Sequence, residues 1–164
     1  MISGTREAVS DTSPTQYLHQ TGYLRLLDVF DTRTLIPPAV AYELELGRAI
    51  DIDFPEVSVL PWIKIQAHEG LDKVPTAADL GAGERGVLAL RLQVPNPVVI
   101  LDERIGPLEA GVLKLTFTST LGILMRAKVE GRIRQLEPVL AHLDRLGFRL
   151  SAKTRASVLK LAGE

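Results

Sequence analysis

The run Ala8-Val9-Ser10-Asp11-Thr12-Ser13-Pro14 constrains the fold more than any other stretch. A short apolar segment ends in a carboxylate, and two hydroxyl residues and a proline then open a helix. A buried strand that passes directly into a helix belongs to a parallel sheet whose crossover helices cover its faces. Ligands in such sheets bind beyond the carboxyl ends of the strands. Asp11 is delivered to that edge, and acids at other strand ends become candidates to meet it there.

In chain order, Ser13 suits an N-cap and Pro14 a first helical position, predicting a helix over 14–20 that Gly22 stops. A second helical pattern runs over 23–30. Arg33 to Pro37 reads as a short strand. A helix over 38–46, ended by Gly47, turns Val40, Leu44 and Leu46 to the core and sets Glu43 on the neighbouring flank. Leu60 to Ile65 is strand-like, with Trp62 a packing residue. A glycine-bearing loop over 76–83 then leads into a helix with Glu84 in its first turn. Val98-Val99-Ile100-Leu101 is the clearest parallel strand, ending in Asp102-Glu103 as the first strand ends in Asp11. Arg104 to Leu113 is expected helical and Lys114 to Thr118 an edge strand. Helices follow over 119–129, 136–146 and 151–162. No linker or repeat interrupts the chain, so 1–164 forms a single domain with C-terminal helices over 135–164.

With 46% hydrophobic and 24% charged residues, the 164-residue chain can bury one ordinary core. The absence of cysteine excludes disulfides, thiolate zinc sites and cysteine nucleophiles, and suits the cytoplasm. His19, His68 and His142 have no metal-ligand spacing. No apolar run approaches the roughly 20 residues of a membrane span, and no signal-peptide core is seen. The net charge of −1 hides a gradient, because residues 1–60 carry 4 Lys/Arg against 9 Asp/Glu and residues 126–164 carry 9 against 4. The basic tail, with Lys128, Arg132 and Arg134 as candidate phosphate contacts, could meet an anionic polymer. Solvation of helix faces is the plainer reading of those cations taken alone.

The chemistry lies in the acids. Asp11, Glu43, Glu84, Asp102 and Glu103 come from separated segments that this topology can bring to one sheet edge. Singly, each has a structural explanation; Glu84, for instance, is favoured by the helix dipole wherever its helix lies. Together they would repel one another unless cations neutralise them. An excess of hard oxygen ligands points to Mg²⁺ or Mn²⁺. Such ions lower the pKa of a bound water for attack on a phosphodiester and offset charge on the leaving oxygen. Gly81, Gly83 and Gly86 have the spacing GxGxxG, but the residues before them form no β-branched strand, and a dinucleotide site is rejected.

At these residues the chain resembles PIN-domain proteins, closest to the PIN-like group of the DUF3368 type. The resemblance covers nearly the whole chain. It rests on Val9-Ser-Asp-Thr-Ser-Pro, Leu35-Ile-Pro-Pro-Ala-Val with Glu43-Leu44, Gly83-Glu84 before an apolar helix, and Ile100-Leu-Asp-Glu-Arg with Gly106. Thr120-Leu-Gly-Ile-Leu with Ala127-Lys128, and Gly147-Phe-Arg-Leu-Ser through Leu161-Ala-Gly-Glu, complete it. The resemblance implies a three-layer α/β/α sandwich with a central, mainly parallel sheet. It implies a metal-dependent ribonuclease, the toxin of a toxin-antitoxin pair, acting on single-stranded or structured RNA. Its catalytic and metal-binding acids correspond to Asp11, Glu43, Glu84 and Asp102 or Glu103, and Ser13 to a hydroxyl supporting the first acid. A cognate antitoxin and often a homodimer are implied too. The chain departs from the family at Asp102-Glu103, where relatives usually carry two aspartates, and at Pro107, where they tend to carry Arg.

Two other classes compete. A non-catalytic PIN-like RNA- or protein-binding module would carry the acids as vestiges, and Pro107 is its best support. An aspartyl-phosphate site fares worse: a haloacid-dehalogenase pattern needs Asp where Ser13 stands, and a receiver domain needs an acidic pair on the first strand. Metal-dependent RNA cleavage separates the nuclease from both.

Overall fold

The computed structural model describes residues 6–28, 32–74, 80–102 and 116–164. Among them a five-stranded sheet runs through the molecule in the order β3-β2-β1-β4-β5, with every neighbouring pair parallel. The strands are β1 (Arg6–Ser10), β2 (Thr32–Ile36), β3 (Ile63–Ile65), β4 (Val98–Ile100) and β5 (Thr116–Thr118). Six α-helices accompany it: α1 (Thr12–Gln20), α2 (Pro38–Ala49), α3 (Ala82–Arg91), α4 (Thr120–Val129), α5 (Glu137–Arg145) and α6 (Ala152–Leu161). The architecture is the α/β/α sandwich expected. The central strands read as continuous apolar runs because both faces are covered: Ala8, Val9, Val98, Val99 and Ile100 are all buried.

From β1 the chain builds outward to β2 and β3, then returns to place β4 on the other side of β1. That reversal opens a crevice between the carboxyl ends of β1 and β4. In the register Ser10 faces Ile100, so Asp11 and Asp102 leave the sheet from adjacent strands. The turn from β1 into α1 is locked by polar groups that burial forces to pair. Thr15 Oγ1 donates to the Asp11 carbonyl at 2.7 Å and lies 3.0 Å from the Ser10 hydroxyl.

Several element boundaries depart from expectation. The N-cap of α1 is Asp11, and Ser13 lies inside the helix. The 23–30 pattern yields a short 3-10 helix over Leu24–Asp28. Gly47 does not end α2, which continues to Ala49. Its value is steric: a Cβ there would stand 2.1 Å from the Phe54 ring, so the missing side chain admits that ring. Val40 and Leu44 are buried as expected, whereas Leu46 is 50% exposed. Trp62 packs against the core and carries the Arg25 guanidinium over its ring at 4.7 Å. Arg104 to Leu113 and Pro107 lie outside the described residues. No helix among the described residues is long and apolar enough to cross a membrane.

Candidate active site

Asp11 closes β1 at the crevice, donating its backbone N–H to the Ile100 carbonyl at 3.0 Å. It is only 6% exposed. Burial is the main cause that pushes its carboxyl from 3.8 up to about 7. The charges of Glu84, Glu43 and Asp102 push in the same direction, while the Thr12 backbone N–H opposes them. Three acids from separate segments therefore lie close enough to act on the Asp11 carboxyl.

Each of the other three is tied to the amino end of a helix. Glu43 projects from α2 and spans two neighbours: the Gly83 N–H at the start of α3 donates to Oε1 at 3.0 Å, and the Thr12 hydroxyl of α1 donates to Oε2. A Cβ on Gly83 would stand 2.6 Å from that Oε2. Three residues on, a Cβ on Gly86 would meet Pro37 at 3.1 Å. One helical face of α3 thus lacks side chains where it approaches α2, and this is what the Gly83 and Gly86 spacing encodes instead of a dinucleotide site. Glu84 sits between them in the first turn of α3.

Asp102 follows β4 and binds the first residue of α4, taking the Thr120 N–H at 2.8 Å and the Thr120 hydroxyl at 2.6 Å. The free N–H groups at the starts of α3 and α4 thus bond the Glu43 and Asp102 carboxylates. Asp11 lies deepest, and burial keeps its carboxyl protonated up to about pH 7. Glu103 lies outside the described residues.

Ser13, Tyr17, Glu84 and Asp102, with Gly147, Phe148 and Arg149, line a cleft of about 440 Å³. Ser13 accordingly faces the site from α1 instead of capping it. Tyr17, Thr12, Thr120 and Arg149 were not singled out from the sequence as site residues. The hydroxyls could have been sought as partners for the acids, but no local pattern marks Tyr17 or Arg149. Of the basic candidates, Lys128 pairs with Glu164 at 3.3 Å and Arg132 with Asp28 at 2.9 Å, while Arg134 is exposed.

Among the described residues no three His or acidic side chains stand close enough to hold one metal ion. The donor set nevertheless suits a hard cation in chemistry, being all carboxylate, mutually repelling and partly buried. Mg²⁺ commonly binds through one or two carboxylates and completes its shell with water and phosphate.

The profile of the family DUF3368, described as a PIN domain, matches residues 7–164. No curated protein and no solved structure matches. PIN domains are generally nucleases and typically use Mg²⁺ or Mn²⁺. With that match over nearly its whole length, on a parallel sheet whose acids gather at the switch point, the chain belongs to the PIN-domain family.

Proposed function

We propose that this protein is a Mg²⁺- or Mn²⁺-dependent endoribonuclease. The observation that carries the reading is the state of Asp11, a buried carboxyl at the sheet's switch point on which three further carboxylates act. Left alone, such a group stays protonated to about pH 7 and costs stability when it ionises. A divalent cation would remove that conflict.

Asp11 and Asp102 would hold the ion, with Glu43, Glu84 and Glu103 in support through water or directly. When bound, it supplies an activated water and neutralises charge on the leaving oxygen. The chain's own residues do the rest. Thr120 orients Asp102, Gly83 and Thr12 fix Glu43, and Ser13 and Tyr17 border the space beside Glu84 and Asp102 in which a phosphodiester would lie. Of the three basic candidates, Lys128 and Arg132 are held in ion pairs, and Arg134 is proposed as the outer contact to an RNA phosphate. The toxin role, the antitoxin and the homodimer enter from the resemblance alone, and a small antitoxin-like reading frame beside this one would support them.

The test is cleavage of an end-labelled single-stranded RNA by the parent and by Asp11→Asn, in EDTA and in millimolar Mn²⁺. The parent should cleave only with metal, and the variant should lose most of that activity. Metal-independent cleavage, or a parental rate in Asp11→Asn, would refute the reading.

A further inference from the structure

The cleft at Glu84 and Asp102 shares one wall with a second, larger cleft. Gly147, Phe148 and Arg149 border both. The second has a volume of about 620 Å³ and is completed by Leu121, Leu150, Ser151 and Thr154 together with Asp144. Among the described residues that line either space, Arg149 is the only cation.

Its backbone position is set on three sides. Gly147, at φ +88°, ends α5 in the left-handed conformation; its N–H bonds the Asp144 carbonyl at 3.1 Å, and the Phe148 N–H bonds the Leu143 carbonyl at 3.0 Å. That is the closing pattern in which the next apolar residue packs back onto the structure. Phe148 does so, 8% exposed and edge-on to Tyr17 with ring centroids 5.0 Å apart. Two residues after Arg149, Ser151 caps α6 by accepting the Thr154 N–H at 3.1 Å. Arg149 therefore sits on a short segment pinned at both ends, while its side chain is exposed and pairs with no carboxylate among the described residues.

We infer that Arg149 is the substrate clamp of this site: a single-stranded RNA crosses from the acidic cleft over Arg149, which grips the phosphate next to the scissile one, and seats the following nucleoside in the cleft of Leu121, Leu150 and Thr154. The inference rests on the nuclease reading. An acidic cleft repels a polyanion, and a guanidinium at its rim is what draws the strand in and fixes its register, because its planar fork takes a phosphate through two hydrogen bonds. The second cleft combines leucine side chains with hydroxyls, which suits a base and ribose. A rigid duplex could not bend from one cleft into the other without unstacking.

The test uses a fluorescein-labelled 12-nucleotide poly(U) RNA. Its binding is measured by anisotropy in EDTA across a salt series, and its cleavage in Mn²⁺ for the parent, Arg149→Ala, Arg149→Lys and Thr154→Trp. Arg149→Ala should weaken binding about tenfold and lower the salt slope by about 0.7, one phosphate contact on a single strand. It should raise KM more than it lowers kcat. Arg149→Lys should recover the slope but only part of the affinity, and Thr154→Trp should weaken binding by filling the second cleft. Asp11→Asn should still bind. Unchanged affinity and slope in Arg149→Ala overturn the clamp even if the parent cleaves RNA. A parent that binds through Arg149 but never cleaves overturns the nuclease reading and leaves the clamp standing. A parent that does not bind the RNA overturns the clamp, as does equal affinity for a 12-base-pair duplex.

Discussion

Asp102 and Thr120 are joined twice, the Thr120 N–H reaching one carboxylate oxygen at 2.8 Å and its hydroxyl the other at 2.6 Å. An acid beyond β4 thereby closes the start of α4, engaging both of its oxygens. Asp102 is thus both a helix cap supplied from another element and a candidate metal ligand. The two roles separate by mutation. Asp102→Ala should cost about 1–3 kcal/mol in urea denaturation, because Thr120 is fully buried and loses its acceptor. Thr120→Val should cost part of that and slow cleavage by loosening Asp102. If Asp102→Ala loses cleavage at parental stability, the capping role is the one that fails.

Asp11 predicts a pH dependence with a definite sign. Its folded pKa of about 7 lies above the ordinary 3.8, so between those values the folded state keeps a proton that the unfolded state has released. This group's contribution is full below pH 3.8, is lost as pH rises through about 7, and is level above that. The loss in metal-free protein should be on the order of 4 kcal/mol. Asp11→Asn should abolish this component, measured as the difference between urea midpoints at several pH values in EDTA. Above pH 7, Mn²⁺ should raise the melting temperature of the parent and leave the variant nearly unmoved. Parallel pH profiles for the two proteins would contradict the burial argument.

Gly83 carries a third prediction. A methyl group at this position meets Glu43 Oε2 at 2.6 Å. Gly83→Ala should therefore displace the Glu43 carboxylate while gaining up to about 1 kcal/mol of helix propensity. Cleavage should fall at least tenfold with the melting temperature close to the parent's. A large drop in stability would show that the contact is core packing and that Glu43 had nowhere to move.

The three basic candidates should not behave alike. Lys128 holds Glu164 and donates to the Arg134 carbonyl at 2.7 Å, and Arg132 holds Asp28. Glu164 in turn accepts the N–H groups of Leu136 and Glu137 at the start of α5. Lys128→Ala and Arg132→Ala should lower the melting temperature by a few degrees and alter the salt slope of RNA binding little. Arg134→Ala should reduce that slope by about 0.7 and leave melting unchanged. Identical effects on all three slopes would mean that the ion pairs open to RNA.

Much of the architecture was legible in the order of residues. Apolar runs that end in acids, at Val9-Ser10-Asp11 and at Ile100-Leu101-Asp102, are local patterns, and local patterns suffice to predict parallel strands with carboxylates at their tips. The same holds for Val40 and Leu44 on one face of α2. Where the reading missed, the deciding contact came from elsewhere in the chain. Gly47 looks like a helix stop until Phe54 is seen to need its space. Leu46 looks like core until the face it lies on is found exposed. Ser13 looks like a cap until Asp11, one residue beyond β1, takes that place.

The sequence by itself determined which residue types the site can contain, since the acids and the absence of cysteine are fixed by composition. Only the tertiary structure decided what each acid does. Burial at the switch point sets Asp11 apart from Glu43 and Asp102, which bond the amino ends of α3 and α4. Likewise, Arg149 is one arginine among many until the turn at Gly147 and the packing of Phe148 on Tyr17 set it between two clefts. Charge state and reach depend on dielectric and distance, and both are properties of the folded chain.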